Sequence, residues 1–530
     1  MAKRKRGANG PERRRISREW FTAWLASAFF ILSFVGILRH EPWRDEYQAW
    51  MVARDAGSLG ELFQNVKYEG NPALWHLILF AVTRVSHDPF AMPLVHILIS
   101  TAMIAVFARY TSLPPLPKVL FAFGYAAFYE YNLISRGYAL GLLFLMLFCA
   151  LYPHRDRRLV PAALLLALMA NNSPFGLMLS FVLGAHLLAE QMIRRRREVA
   201  WPLVAAGLLL VVGWGLSVLQ IYPEADNTFP VSYANGAVQG GRLGFAISRI
   251  LAAYVPIPPF AQHHYWNHTL FEAWPGALQV VVSIALFAAF AVGFLRKRLV
   301  AVLYIVGTLL LVAFFYQTRM AFQRYCLHLL ILLVTCFSLE RHYDDDLRHE
   351  WLRRLSARVR PWTGRLLIVV LAGGVVAGVF AYIADFNRPF SASQEAVAFL
   401  RAKGLADLEI VGHTDFVISP LAAQLGKKIY YPERGEYGRF VIWNRGRKSN
   451  LHFDDITAAV RFMLDKGEKR FLWIADSQPR FEEDGRVQWF EGGADLIPGA
   501  RITLLAKISP GVVLDEHYVV YLVEGTDRQQ

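Results

Sequence analysis

Long uncharged apolar segments recur along this chain of 530 residues and limit the folds that it can adopt. They include residues 20–38, 203–219, 280–295, 300–315 and 366–382. A helix needs about 20 apolar residues to cross the hydrocarbon core of a bilayer. Hydrophobic residues make up 55% of the chain and charged residues only 18%. The sequence therefore predicts a polytopic α-helical membrane protein. It excludes a soluble enzyme, a disordered chain, a disulfide scaffold and, because barrel strands alternate in polarity, a porin-type barrel.

Basic segments alternate with poorly charged or acidic loops between these apolar runs. The N-terminal tail, residues 1–19, carries eight basic residues and two acidic residues. The later basic segments are residues 155–158, 194–197, 296–298 and 341–365. Because Lys and Arg collect in cytoplasmic loops, we expect the N-terminus and these segments on the cytoplasmic side of the membrane. The loops at 39–71, 171–174, 220–274 and 317–324 are then outside.

Eleven crossings satisfy this alternation of charge. They are residues 20–38, 90–109, 118–134, 137–153, 159–172, 175–193, 199–219, 275–295, 299–316, 322–340 and 365–384. Residues 72–85 are apolar but short for a crossing, and a crossing there would invert every later loop. We therefore expect them to form an interfacial or re-entrant helix on the outer side.

The composition changes after residue 384. Residues 20–384 form the predicted membrane domain, including an outer loop at 39–89, and residues 385–530 form a predicted soluble domain outside the membrane. Short apolar runs alternate there with helical patterns, which favours a small α/β sheet. The predicted strands are at 408–411, 428–431, 440–443, 471–474, 502–507 and 518–523. No phosphate-binding loop, dinucleotide-binding motif or metal-ligand spacing is present in this domain.

The first outer loop brings two adjacent carboxylates to the membrane surface. Asp45 and Glu46 follow the first crossing, and Trp43 and Tyr47 flank them. Neighbouring residues of a helix point in different directions, so the two carboxylates should have separate roles. A hydrated acidic loop start is the plain alternative. The aromatic side chains could anchor the loop at the headgroups or line a sugar site.

The end of the same loop carries two more titratable groups. Glu69 precedes Pro72, a residue favoured in the first turn of a helix, and His76 follows on that helix. A capped interfacial helix explains the pattern by itself, and is compatible with a functional Glu69 or His76.

Arginines stand at the predicted outer ends of two helix pairs. Arg136 and Tyr138 lie between two apolar segments, and Arg319, Arg324 and Tyr325 lie in a later outer turn. A cation between apolar segments is costly and marks a candidate functional site. A guanidinium can bind a lipid phosphate through two hydrogen bonds. Arg136 could instead snorkel or pair with a neighbouring glutamate.

Three histidines lie in the outer segment around His263. Histidines and carboxylates can bind a divalent metal ion, which makes His263, His264 and His268 candidate ligands. The sequence therefore leaves a metal site in this segment as an open alternative.

The order of these features resembles the GT-C class of polytopic glycosyltransferases, in particular protein O-mannosyltransferases and the lipid A aminoarabinose transferase. The resemblance spans residues 20–340: one helix, an outer loop opening with Asp-Glu, a Glu-x-x-Pro segment before an aromatic helix, and an Arg-x-Tyr turn. It implies a GT-C-like fold. It also implies a sugar donor linked to polyprenyl phosphate, used on the outer face of the membrane.

The resemblance also implies roles for individual residues. Asp45 matches the catalytic carboxylate of the first loop and Glu46 its neighbour in the motif. Glu69 matches an acidic residue that helps to hold a metal in some members, although Gly70 stands here where a lysine often follows. Arg136 matches the arginine of the turn, and the pair Arg324-Tyr325 matches the start of a late helix.

The implied reaction is a single inverting displacement. Asp45 would accept the proton of an acceptor hydroxyl, and arginines would stabilise the departing lipid phosphate. The acceptor could be a lipid, a glycan or a protein, and no nucleic acid is implied. A transporter or flippase is one alternative, although no paired halves are visible. A membrane-anchored scaffold that acts through residues 385–530 is another.

Overall fold

The computed structural model describes residues 10–194, 201–228, 241–449 and 451–526, apart from 479, 484–485, 490–491 and 494–496. The first nine residues of the predicted basic tail and the arginines at 195–197 lie outside the described residues.

Helices dominate the chain up to residue 387. They are α1 (Gly10–Ile37), α2 (Arg44–Asp55), α3 (Leu59–Val66), α4 (Leu74–Thr83), α5 (Ala91–Tyr110), α6 (Pro115–Ala122), α7 (Tyr138–Leu151), α8 (Leu159–Ala170), α9 (Pro174–Arg194), α10 (Trp201–Ile221), α11 (Arg242–Tyr254), α12 (Gly276–Phe294), α13 (Arg298–Thr318), α14 (Gln323–Cys326), α15 (His328–Leu339) and α16 (Glu350–Asn387). Within the described residues, eight helices are long and apolar enough to cross a membrane. The predicted polytopic helical fold is confirmed.

Three of the predicted crossings form shorter helices. Residues 137–153 and 159–172 become α7 and α8, and residues 118–134 divide into α6 and a π-helical turn, Tyr125–Glu130. A glycine contact accompanies this division. A Cβ atom on Gly378 of α16 would lie 2.9 Å from both the Phe123 carbonyl oxygen and the Tyr125 nitrogen. The two backbones therefore touch where α6 ends.

One predicted outer loop contains a buried helix. Within residues 220–274, α11 presents Ala246, Ile250, Ala253 and Tyr254 to the core. Their spacing of four, three and one is that of one helix face. The Tyr254 hydroxyl hydrogen-bonds to the hydroxyl of Tyr304 on α13 at 2.8 Å. The prediction of a loop missed this helix, because its apolar face is short.

Ion pairs and hydrogen bonds connect loop residues at both ends of the helix bundle. Basic loop residues pair with acids at one end, where Arg155 binds Glu190 at 2.6 Å and Arg298 binds Asp346 at 3.1 Å. At the other end His40, just after α1, contacts Asp385 near the end of α16 at 2.7 Å. The loops at 155–158 and 296–298 therefore lie at the opposite end of the bundle from His40 and Asp385.

A mixed sheet organises the C-terminal region. The elements are α17 (Ser393–Ala402), β1 (Ile410–His413), α18 (Asp415–Leu425), β2 (Ile429–Tyr431), β3 (Glu436–Gly438), α19 (Phe453–Asp465), β4 (Arg470–Ala475), β5 (Arg480–Glu483), β6 (Arg486–Trp489), β7 (Gly492–Gly493), β8 (Ala500–Ile508) and β9 (Tyr518–Gly525). The strand order is β3-β2-β1-β4-β9-β8-β7. Strands β2, β1 and β4 are parallel, and the other pairings are antiparallel. The predicted α/β domain is confirmed.

Alternation along β9 explains why both faces of this sheet are covered. Val520 and Leu522 pack with α17 and α18, whereas Val519, Tyr521 and Val523 pack with α19. Successive side chains of a strand point to opposite faces, so an entirely apolar strand requires a layer on each side.

The strand predicted at 440–443 was wrong. These residues form an irregular segment between β3 and α19, because they leave the sheet to reach α2. Val441 exchanges hydrogen bonds with the side chain of Gln48 on α2. Helices α2 and α4 pack together, and Phe440 and Ala423 join their core. The segment 44–83 thus lies between the helix bundle and the C-terminal domain.

Candidate functional site

A cavity of about 770 Å³ lies where the helix bundle meets the C-terminal domain. We call its two sides the helix wall and the domain wall. The helix wall contains Trp43, Asp45, Glu69, Arg136, Tyr138, Arg324 and Tyr325. The domain wall contains Phe416, Ser419, Val441, Trp443 and residues 512–515. Seven predicted site residues, distant in sequence, therefore meet on one wall.

Asp45 occupies the centre of the helix wall, in the first turn of α2. Its carboxylate forms an ion pair with Arg136 and lies 3.8 Å from the Arg324 guanidinium. The Arg44 side chain approaches it to 3.9 Å. The Asp45 side chain keeps 30% of its surface exposed. It is thus an accessible carboxylate surrounded by cations.

Glu46 has different surroundings, although it is adjacent to Asp45. Its carboxylate is fully buried and accepts hydrogen bonds from the backbone N–H of Ser135 at 2.6 Å and of Trp43 at 3.1 Å. His40 bridges Glu46 and Asp385, at 3.3 and 2.7 Å. These contacts cap α2 and fix the turn before Arg136. Glu46 does not line the cavity, so the geometry favours a positioning role over the predicted catalytic one.

The turn after Arg136 depends on a glycine. Gly137 has a φ of +72°, and a Cβ atom there would lie 2.8 Å from the ring of Trp75. Any other residue would strain this turn, since both the dihedral angle and the space favour glycine. The turn allows Arg136 to reach Asp45 and Tyr138 to begin α7 on the cavity.

Arg324 is held in an aromatic cage. Its guanidinium carbon lies 5.3 Å from the ring centre of Trp43, 5.4 Å from Trp266 and 5.0 Å from Phe322. Aromatic faces stabilise a cation that water no longer surrounds. The Nε atom of Arg324 is buried and has no hydrogen-bond acceptor among the described residues. Neighbouring Tyr325 stacks on Phe175 at 4.7 Å.

Besides Glu46 and His263, three predicted site residues lie away from the cavity. Tyr47 is buried in the core between α2 and α4, because the face of α2 that carries Trp50 and Met51 turns inward. His76 is buried on α4, with neither ring nitrogen hydrogen-bonded among the described residues. Arg319 ends α13 with a φ of +58°, where its N–H donates to the carbonyl of Phe315. None of the three is on the cavity lining.

The predicted metal ligands do not share a site. Glu69 is held at the cavity by the Nε2–H of Gln48 at 2.6 Å, whereas His263 is exposed and packs edge-on against His264. Burial raises the pKa of Glu69 to about 7, despite the hydrogen bond from Gln48. The described part of the chain has no group of three or more His, Cys, Asp or Glu that could hold a metal ion.

The sequence analysis assigned no role to the domain wall. Arg44 joins it to α2: its Nη2 donates to Asp515 at 2.6 Å, and its backbone N–H donates to Glu516 at 2.9 Å. Phe416 and Trp443 face the cavity from the first turn of α18 and from the segment after β3. The only sequence signal for Trp443 was an apolar run at 440–443, which resembled a strand.

Comparisons with known proteins detect a similar fold but no matching sequence family. No family model matches this chain, and no curated protein does either. Among solved structures, the chain resembles ArnT from Cupriavidus metallidurans. The apo ArnT structure has 14% sequence identity and a TM-score of 0.51, and the match covers 96% of this chain and 98% of that chain. The ArnT structure bound to undecaprenyl phosphate has 12% identity and a TM-score of 0.48, with 94% and 97% covered.

The likeness extends over both parts of the molecule, since the match takes in almost the whole length of each chain. At this level of identity it establishes architecture and not activity. The chain thus has a GT-C-like fold that resembles that of ArnT over the helix bundle and the C-terminal domain.

Proposed function

We propose that this protein is an inverting glycosyltransferase that takes a sugar from a polyprenyl-phosphate donor. The observation that carries the proposal is the position of Asp45. It is an accessible carboxylate held between Arg136 and Arg324 on the wall of a cavity that borders apolar helices. A base and phosphate-binding groups at one point are what this transfer needs. The GT-C fold agrees with it.

The arginines are suited to the donor phosphate. Arg136 and Arg324 are largely buried, and the unpartnered Nε–H of Arg324 can donate to a phosphate oxygen. Charge-assisted hydrogen bonds between guanidinium and phosphate are strong, and they are stronger where water is excluded. The lipid chain of the donor would lie along the apolar part of the cavity, near Phe175 and Phe314.

The proposed step is one displacement. The acceptor hydroxyl gives its proton to Asp45, and its oxygen forms a bond to the anomeric carbon of the sugar. The bond between that carbon and the phosphate oxygen breaks, and the electron pair leaves with the lipid phosphate, which the arginines stabilise. Before the reaction Arg136 pairs with Asp45. A bound phosphate competes for Arg136, which makes Asp45 a stronger base.

We place the cavity on the outer face of a bacterial inner membrane, with the N-terminus in the cytoplasm. The reason is the distribution of charge: the basic loops are at the opposite end of the bundle from the cavity. Acceptors available at the outer face are lipids, glycans and proteins.

A binding experiment tests the role of the arginines. Full-length protein in lipid nanodiscs is titrated with undecaprenyl phosphate and with undecaprenol, and bound lipid is counted by native mass spectrometry. We expect the phosphate to be preferred. Arg136→Ala and Arg324→Ala should each weaken its binding about 10- to 100-fold, since a hydrogen bond to a charged group contributes about 1.5–3 kcal/mol. Arg319→Ala is the matched control, because Arg319 lies off the cavity.

A turnover experiment tests the reaction itself. The same protein is incubated with radiolabelled undecaprenyl-phosphate-linked glucose, mannose or arabinose and with an extract of bacterial envelope. Transfer predicts acceptor-dependent release of undecaprenyl phosphate and a labelled product. Binding without cleavage of any donor would contradict the proposal and would favour a flippase.

A further inference from the structure

We propose that the domain wall is the binding subsite of a saccharide acceptor, whose ring stacks on Phe416 and Trp443 while one hydroxyl is directed at Asp45. This inference rests on the proposed glycosyl transfer and adds the chemical class of the acceptor. Four features of the C-terminal domain carry it: the topology of the sheet, the aromatic pair, the ion pair behind that pair, and the connection to α2.

The topology of the sheet directs a ligand-binding edge toward the cavity. Strand β1 lies between β2 and β4, parallel to both. The chain therefore crosses from β1 to one neighbour and then back to the other side. In open α/β sheets, ligands bind outside the carboxyl ends of the strands at such a switch point. Phe416 lies three residues after β1, and it lines the cavity.

Phe416 and Trp443 form an aromatic pair at this edge. Their ring centres are 5.7 Å apart and their planes differ by 33°. Both rings are half-buried and line the cavity, with Ser419 nearby. Pyranose rings present C–H groups on their faces and hydroxyls at their edges. A pocket of aromatic faces with a few polar groups is complementary to such a ring.

A buried ion pair holds the aromatic pair in place. Arg447 donates two hydrogen bonds to Asp415, at 2.7 and 2.6 Å, and both residues are almost inaccessible to water. The Arg447 guanidinium carbon lies 4.5 Å from the centre of the Trp443 ring and 5.9 Å from that of Phe416. Asp415 neutralises the charge of Arg447. The Arg44 guanidinium carbon lies 5.2 Å from the centre of the Phe416 ring, and its charge is paired with Asp515. A neutral ring fits this part of the wall better than a phosphate.

The domain wall is also connected to the proposed base. The Gln48 amide donates to the Val441 carbonyl at 2.7 Å and accepts from the Val441 N–H at 3.0 Å. Gln48 follows Asp45 by three residues on α2, which is about one helical turn. Trp443 follows Val441 by two residues. The distance between the aromatic pair and Asp45 is therefore set by a short, hydrogen-bonded path.

Saturation-transfer NMR tests the subsite without a donor. Full-length protein in nanodiscs is mixed separately with methyl β-pyranosides of glucose, galactose, mannose and xylose, and with tetraethylene glycol as a non-saccharide control. We expect saturation of the ring protons of at least one glycoside and none for tetraethylene glycol. Phe416→Leu and Trp443→Leu, which keep an apolar side chain, should each reduce this saturation at least threefold. Trp443→Phe keeps a flat ring and should retain more than half of it.

Trp274→Ala is the matched control, because Trp274 is an exposed aromatic residue of the helix bundle that lies off the cavity. It should leave the saturation unchanged. The inference is overturned if no glycoside is saturated, or if the two leucine variants, with unaltered melting temperatures, bind as the parent protein does. Loss of ring saturation in both leucine variants supports the acceptor subsite, whether or not a donor is cleaved. Failure to cleave any donor contradicts the proposed transfer and not the subsite.

Discussion

The two walls of the cavity differ in chemistry and in the way they are built. The helix wall concentrates charge, with Asp45 between Arg136 and Arg324, and draws its residues from helix ends far apart in sequence. The domain wall presents Phe416 and Trp443, and the buried ion pair behind them, Asp415 with Arg447, carries no net charge. The difference indicates a division of work, with phosphate and proton transfer on one side and ring recognition on the other.

The largest expected effect separates two aspartates on opposite walls. Asp45→Asn should lower kcat about 10²- to 10⁴-fold, because the amide cannot accept the proton of the acceptor hydroxyl. Binding of undecaprenyl phosphate should not weaken, since a negative charge beside the arginines is removed. Asp515→Asn removes a carboxylate of the domain wall and should change kcat no more than threefold. Equal losses of radiolabel transfer in the two variants would contradict the assignment of proton transfer to the helix wall.

The next effect concerns the buried carboxylate behind each wall. Removing one partner of a buried ionic contact costs on the order of 3–5 kcal/mol. Glu46→Gln and Asp415→Asn should therefore both lower the melting temperature by several degrees. Their binding defects should differ: Glu46→Gln weakens undecaprenyl phosphate binding through the turn at Arg136, and Asp415→Asn weakens pyranoside saturation. The assignment of the walls would be contradicted if Glu46→Gln weakened pyranoside saturation, or if Asp415→Asn weakened binding of undecaprenyl phosphate.

A smaller effect depends on pH. Burial raises the pKa of Glu69 to about 7 in the folded protein, above its ordinary value near 4.5, so the folded state binds the proton more tightly. This contribution to stability is complete below about pH 4.5 and is lost as the pH rises through 7. Glu69→Gln should remove a pH dependence on the order of 1–2 kcal/mol, a figure reduced for solvent screening of this half-buried group. Melting curves from pH 5 to 8 measure it, with exposed Glu61→Gln as the control.

The smallest expected effect is at the joint between the walls. Arg44 and Asp515 form an ion pair at 2.6 Å, but the Asp515 side chain is 61% exposed. Exposed pairs contribute about 0.2–1 kcal/mol. Arg44→Gln and Asp515→Asn should each raise the acceptor KM two- to threefold, and the double variant should show coupling below about 1 kcal/mol. Stronger coupling would mean that the ion pair, and not the Gln48 contact, sets the spacing of the walls.

The sequence revealed the helix wall because charge is rare among apolar segments. Arg136 and Arg324 stand out beside long uncharged runs, and Asp45 follows directly on the first of them. Errors arose among close neighbours: Asp45 reaches the cavity, whereas Glu46 and Tyr47, the next two residues, are buried. Adjacent side chains of a helix diverge by about 100°, so a motif assigned as a block mixes a cavity face with a core face.

The domain wall could not be predicted in the same way. Phe416 and Trp443 are ordinary aromatic residues in an apolar background, and nothing local distinguishes them from core. Their role depends on the return of the chain from β3 to α2, a contact between residues 393 positions apart. An apolar run such as 440–443 has the composition of a strand, and tertiary packing decided otherwise.

The double hydrogen bond between Gln48 and the Val441 backbone has a consequence for engineering. A chimera that replaces only the residues after Asn387 with the corresponding domain of another protein of this fold would keep Gln48 but change the loop to which Gln48 hydrogen-bonds. We expect such a hybrid to fold yet misalign nucleophile and base. Exchanging α2 together with the soluble domain that it contacts would preserve both hydrogen bonds. The exchangeable module is therefore discontinuous in sequence.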